Sequence, residues 1–98
     1  MIIRIVKMTF RAEEVETFKA LFDRQKAKIR AAAGCKRLEL LQNDDNPQIF
    51  MTYSWWNEAR DLENYRQSEL FTSTWAETKV LFEQKPEAWS MNRLHELG

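Results

Sequence analysis

Tyr65 and Trp75 stand on either side of Ser68, with Phe71 between them. A phenol can orient a substrate through a hydrogen bond, and an indole can stack on a flat ligand. The same side chains would equally serve ordinary packing of a helix on a sheet. Trp56 marks a strand-to-helix junction, where it either closes one end of a cavity or plugs the turn. Asn92 and Arg93 lie on an alternating stretch, so only one of them can face a given side. An Arg or Asn projecting into an apolar cavity can hold a phenolate or peroxide anion. Exposed ion pairing is the plainer role for Arg93. His95 is the sole histidine and the one group whose ordinary pKa lies near neutrality, so it could take a proton from a quinol. It stands close to the C-terminus, where chains fray. Cys35 follows a glycine and reads as a small buried hydrophobe rather than a reactive thiol. Arg24, Lys26, Lys28 and Arg30 read as a solvated basic face.

The elements that must position these residues follow from periodicity. Ile2 to Phe10 alternates and is rich in β-formers. Ile2, Val6, Met8 and Phe10 share one face, with Arg4 among them. Glu13 to Ala33 has helical spacing, with Val15, Phe18, Phe22, Ile29 and Ala33 on one face. Acidic residues at its start and basic residues near its end suit the helix dipole, and Gly34 supplies a left-handed stop. Cys35 to Gln42 predicts a second strand, Asn43 to Pro47 a turn, and Gln48 to Trp56 a third strand. Asn57 to Gln67 predicts a short helix with Ala59, Leu62 and Tyr65 on one side. Ser68 can cap another helix, from Glu69 to about Gln84, with Pro86 ending the helical stretch. Glu87 to His95 predicts the last strand. The order β-α-β-β-α-β is that of an α+β, ferredoxin-like fold with a four-stranded antiparallel sheet.

In strand three, Ile49, Met51, Tyr53 and Trp55 point one way, and Phe50 and Trp56 the other. Both faces are apolar, and the helices can cover only one. A second copy's sheet is the simplest cover for the other, so a homodimer is expected.

Composition sets limits on function. The 98 residues include 15 basic and 15 acidic side chains, so no global field attracts nucleic acid or an anionic membrane. With one cysteine, an intrachain disulfide or cysteine-based zinc site cannot form. The start of the chain has no apolar stretch of the kind that directs secretion. No segment approaches the ~20 apolar residues of a membrane span, so a cytoplasmic location is expected. RNA-recognition modules share the element order, but strand three (QIFMTYSWW) has no Gly or basic residue and strand one is aliphatic up to Phe10.

Trp56, Ala59, Leu62, Tyr65, Ser68 and Phe71, followed by Trp75, form a pattern that resembles the antibiotic biosynthesis monooxygenase family of the dimeric α+β barrel superfamily. The Gly34-Cys35 entry to strand two and the Asp/Asn/Pro hairpin are similar to that family too. The resemblance implies one such domain over residues 1–98. It also implies cofactor-independent monooxygenation of a small quinol- or phenol-type aromatic, with no cofactor or metal. Tyr65, Arg93 and Asn92 are then the candidate catalytic residues. Trp56, Tyr65, Phe71 and Trp75 are the candidate substrate-binding residues.

The chain departs from the family pattern at Tyr65 and Leu70, where many members carry His. The Asn, Trp and His used by the haem-degrading branch fall on Val6, Tyr65 and Trp75 here, so haem degradation is not expected. The alternative is a non-catalytic homodimer of the same fold that binds a small ligand or plays a structural part. A cavity lined only by Trp, Phe and Met would favour binding, and an inward Arg, Tyr or His would favour catalysis.

Overall fold

The computed structural model describes residues 1–98. In chain order the elements are β1 (Ile2–Phe10), a 3-10 turn (Ala12–Glu14), α1 (Val15–Arg30), β2 (Cys35–Gln42) and β3 (Ile49–Trp56). Then come α2 (Ala59–Arg66), α3 (Glu69–Lys79) and β4 (Phe82–Asn92). The strands form one antiparallel sheet in the order β2-β3-β1-β4, the ferredoxin-like arrangement that the periodicity predicts. No helix is long and apolar enough to cross a membrane.

Local chemistry fixes the junctions. Gly34 has φ +84°, which glycine adopts without strain, and a β-carbon there would overlap the Asp61 carboxyl. That carboxyl accepts the Glu58 backbone N–H at 3.2 Å, capping the start of α2. Ser68 separates α2 from α3. Its hydroxyl accepts from the Phe71 N–H at 3.1 Å and donates to the Tyr65 carbonyl at 2.6 Å. One side chain thus ends one helix and starts the next. In the β2–β3 turn, the Asn43 side-chain oxygen accepts the N–H groups of Asp45 and Asn46, each at 2.8 Å.

The last third of the chain corrects three expected boundaries. Helix α3 stops at Lys79 rather than near Gln84, and the final strand starts at Phe82 and contains Pro86. Strand pairing prevails because Phe82 lies opposite Phe10 and packs on its ring. Proline is tolerated because β4 is an edge strand whose register slips here. Glu87 pairs with Lys7 and Gln84 with Thr9, so Lys85 and Pro86 bulge out of the ladder. The strand also ends at Asn92 instead of His95. Ala33 and Ala59 are exposed, while Leu21 is buried on the packed face of α1.

The helix-covered side of the sheet has two packed ends. At one, Phe10, Phe18 and Phe50 join Met8, Val15 and Leu81, with the Phe10 and Phe18 rings stacked at 4.1 Å. At the other, Cys35, Trp56 and Leu62 pack together. The register Ile2↔Trp56 and Met8↔Phe50 sets these clusters at opposite ends of the central strands. No helix covers the reverse face, where Trp89, Met91 and Leu41 are 42%, 48% and 48% exposed.

Candidate functional site

A cavity of about 370 Å³ occupies the middle of the helix-covered side, between the two clusters. Its floor is the sheet, with Arg4, Val6 and Met8 from β1 and Thr52, Ser54 and Trp56 from β3. Leu38 from β2 and Pro86 and Ala88 from β4 complete the floor. Phe22 and Ile29 of α1 wall one side. Leu62, Tyr65 and Arg66 of α2, with Phe71, Thr74, Trp75 and Thr78 of α3, close the rest. The separation of α2 from α3 at Ser68 lets both helices present side chains to the same space. The volume lies toward the lower end of the ~300–1,000 Å³ range of small-molecule sites.

One wall is a run of aromatic rings. Trp56 stacks on Tyr65 with centroids 5.1 Å apart, and Tyr65 meets Phe71 edge-on at 5.3 Å. Phe71 lies parallel to Trp75 at 5.9 Å, and Trp75 meets Phe82 edge-on at 5.6 Å. The four residues singled out for binding, Trp56, Tyr65, Phe71 and Trp75, therefore stand together around one cavity. Trp56 is wholly buried and its indole N–H donates to the Ser54 hydroxyl at 2.9 Å, which fixes it as a rigid end wall.

The polar groups are few. Burial, with a smaller contribution from Cys35, pushes the Tyr65 phenol up to about 12, so near neutral pH it is a proton-bearing donor. Arg4 rises from the floor and donates to the Ser90 hydroxyl at 3.0 Å. Burial, and then the nearby Arg66, lower its pKa from the ordinary value. The Thr78 hydroxyl is occupied, donating to the Thr74 carbonyl at 2.7 Å. The Thr74 hydroxyl is buried and has no partner.

Asn92 and Arg93 are not part of this cavity. Asn92 lies opposite Ile2 at the end of the sheet and is exposed. Met91 and Trp89 pair with Ile3 and Ile5, so from Glu87 onward the odd-numbered positions take the helix-free face. Arg93 is on that side too, with its guanidinium 4.0 Å from the Trp55 ring centroid and 2.9 Å from the Glu96 carboxylate. The cation expected from the last strand comes instead from the first, at Arg4. Its sequence signal is a charged residue among the core-facing positions of β1. His95 lies exposed in the tail beyond β4. Cys35 is buried beside Trp56, and burial pushes its thiol up, away from reactive thiolate.

A sequence model described as antibiotic biosynthesis monooxygenase matches residues 1–77. A crystal structure of an antibiotic biosynthesis monooxygenase is similar to the chain at a TM-score of 0.90 and 18% identity, covering 97% of this chain and 100% of that one. SnoaB, a cofactor-independent oxygenase from Streptomyces nogalater, is similar at 0.88 and 16% identity, covering 98% and 95%. A conserved protein from Methanosarcina mazei is similar at 0.88 and 20% identity, covering 95% and 93%. At these identities the likeness is one of fold. No curated protein matches the chain.

Proposed function

The chain belongs to the antibiotic biosynthesis monooxygenase family, and on that premise we propose that it is a cofactor-independent monooxygenase of a small, electron-rich quinol or phenol. The observation that carries this reading is the composition of the cavity. Its aromatic wall suits a flat substrate, and Tyr65 and Arg4 add an inward hydrogen-bond donor and an inward cation. Trp, Phe and Met alone would favour simple binding.

In this chemistry the substrate is the reductant. Solvent takes the phenol proton, and the protonated Tyr65 hydroxyl, in the positive field of Arg4, favours the phenolate that forms. The phenolate, formed when a ring CH₂ conjugated with a carbonyl enolises, gives one electron to dioxygen; the resulting radical and superoxide combine at that carbon, now C–H, and the peroxide takes a proton back from solvent. The hydroperoxide so formed collapses to a carbonyl and water. One oxygen atom ends in the product and the other in water, so CH₂ plus O₂ becomes C=O plus H₂O. Tyr65, protonated, orients the substrate oxygen. The apolar walls exclude bulk water from the radical pair. Oxygen uptake with a panel of quinols and hydroxyanthraquinones tests the reading, with one water expected per carbonyl formed. No uptake with any of them would overturn it in favour of a non-catalytic ligand-binding dimer.

The same proposal includes a homodimer formed through the helix-free face. Trp89, Met91 and Leu41 are exposed there. On the same side, the Trp55 indole N–H and one Arg93 guanidinium nitrogen are buried without hydrogen-bond partners. A facing copy supplies both apolar cover and acceptors. Sedimentation at micromolar concentration should give twice the chain mass, and a monomer would contradict it.

A further inference from the structure

Resting on the reading of this cavity as a site for a small aromatic, we infer that its substrate carries a carboxylate, held by Arg4 and Arg66, and a second polar group at the far end that meets Thr74. Both arginines line the cavity, and no acidic residue does. Arg66 is paired in part, 3.3 Å from an exposed Glu63 carboxylate. Arg4 forms no ion pair, and its one hydrogen bond goes to the neutral Ser90. A half-buried guanidinium with no carboxylate in contact gains when a ligand brings one. Burial and then the neighbouring Arg66 disfavour the charge on Arg4, and Glu63 offsets them only in part.

The planar fork of a guanidinium matches a carboxylate in two parallel hydrogen bonds. Because Glu63 already offsets Arg66, one net positive charge remains, which suits a singly charged group. Arg4 rises from the sheet, whereas Thr74 descends from α3. The Thr74 hydroxyl is buried and unpartnered, although Thr78, one turn on, is satisfied by the helix. Buried hydroxyls are rarely left so, and because Thr74 lines the cavity, rotation about its χ1 would turn the hydroxyl to a ligand hydroxyl or carbonyl. A site with such groups rejects analogues that lack their partners.

Redox-inert probes separate this inference from the catalytic reading. Calorimetric titration should show naphthoate binding at least about tenfold tighter than its neutral isostere naphthamide. Added salt should shrink that preference, since a partly exposed ion pair is screened. Arg4→Gln should remove most of the preference, Arg66→Gln part of it, and Arg4→Lys should restore some. A hydroxynaphthoate should gain over naphthoate in the wild type but not in Thr74→Val. If Arg4→Gln fails to fold, Arg66→Gln and the salt dependence of the wild type decide the matter. Equal binding of acid and amide, binding of neither, or a preference that survives in Arg66→Gln and in high salt overturns the inference. Binding of the acid without oxidation of any quinol would overturn the oxygenase reading alone. Oxidation of neutral and acidic quinols with equal efficiency would overturn this inference alone.

Discussion

The two ends of the space beneath the helices share a sheet and a set of helices, yet they are filled differently. Where β1 ends, Phe10, Phe18 and Phe50 interlock with ring centroids 4.1–5.7 Å apart, and all three are buried. Farther along the same strands, Arg4, Val6, Thr52 and Ser54 present small or polar side chains, and a cavity opens above them. Trp56 then closes the other end. The number of aromatic residues does not explain the contrast, since Tyr65, Phe71 and Trp75 are all close by. The rings at the Phe10 end point into the gap between sheet and helix. Those of the α2–α3 segment stack on one another along the wall and leave the gap empty. The break at Ser68 makes that arrangement available, because a continuous helix, turning ~100° per residue, would point Phe71 about 120° away from Tyr65.

If this contrast is sound, truncation at the filled end should damage stability. Phe10→Ala should lose about 3–5 kcal/mol in urea titration, the cost of emptying a fully buried aromatic position. The next effect is one of pH. Burial raises the Tyr65 phenol from 10.0 to about 12, so the folded protein keeps a proton that the unfolded chain gives up near pH 10. That contribution is whole below about pH 10 and is lost as the pH climbs toward 12. Wild type should therefore lose about 2 kcal/mol relative to Tyr65→Phe across that window, as chemical denaturation at several pH values would show. Near neutrality, Tyr65→Phe should melt as wild type does but turn over a quinol about tenfold more slowly, or about 1.4 kcal/mol at the transition state. Ser68→Ala should cost about 1 kcal/mol through the lost cap of α3, and hydrogen exchange should localise the loosening to that helix start.

How far the sequence reveals these features depends on how local their causes are. The first three strands, the Asn43–Pro47 turn, Gly34 and the Ser68 break rest on neighbouring residues, and their positions were legible to within a residue or so. The α3–β4 boundary was not. Phe71, Trp75, Thr78 and Phe82 keep helical spacing, and only the pairing of Phe82 with Phe10 turns the last of them into a strand. Within the site, the aromatic wall was visible because it comes from a single stretch of chain. Arg4 stood out only as a charge among core-facing positions, since its partner Ser90 arrives through strand pairing. Arg93 keeps the alternation of Trp89 and Met91, but which face that is follows only from pairing with β1, because the two register shifts between Phe82 and Glu87 break the count from Phe82.

An aromatic substrate that meets oxygen at the open end of this space must be displaced when that space is filled. Thr52 lies on the cavity floor, and Thr52→Phe places a ring in the empty space without disturbing the Phe10 cluster. Oxygen uptake with the best quinol should fall by about tenfold or more relative to wild type, while the melting temperature stays level or rises. Uptake equal to wild type from a folded Thr52→Phe protein would mean that the chemistry proceeds without the cavity.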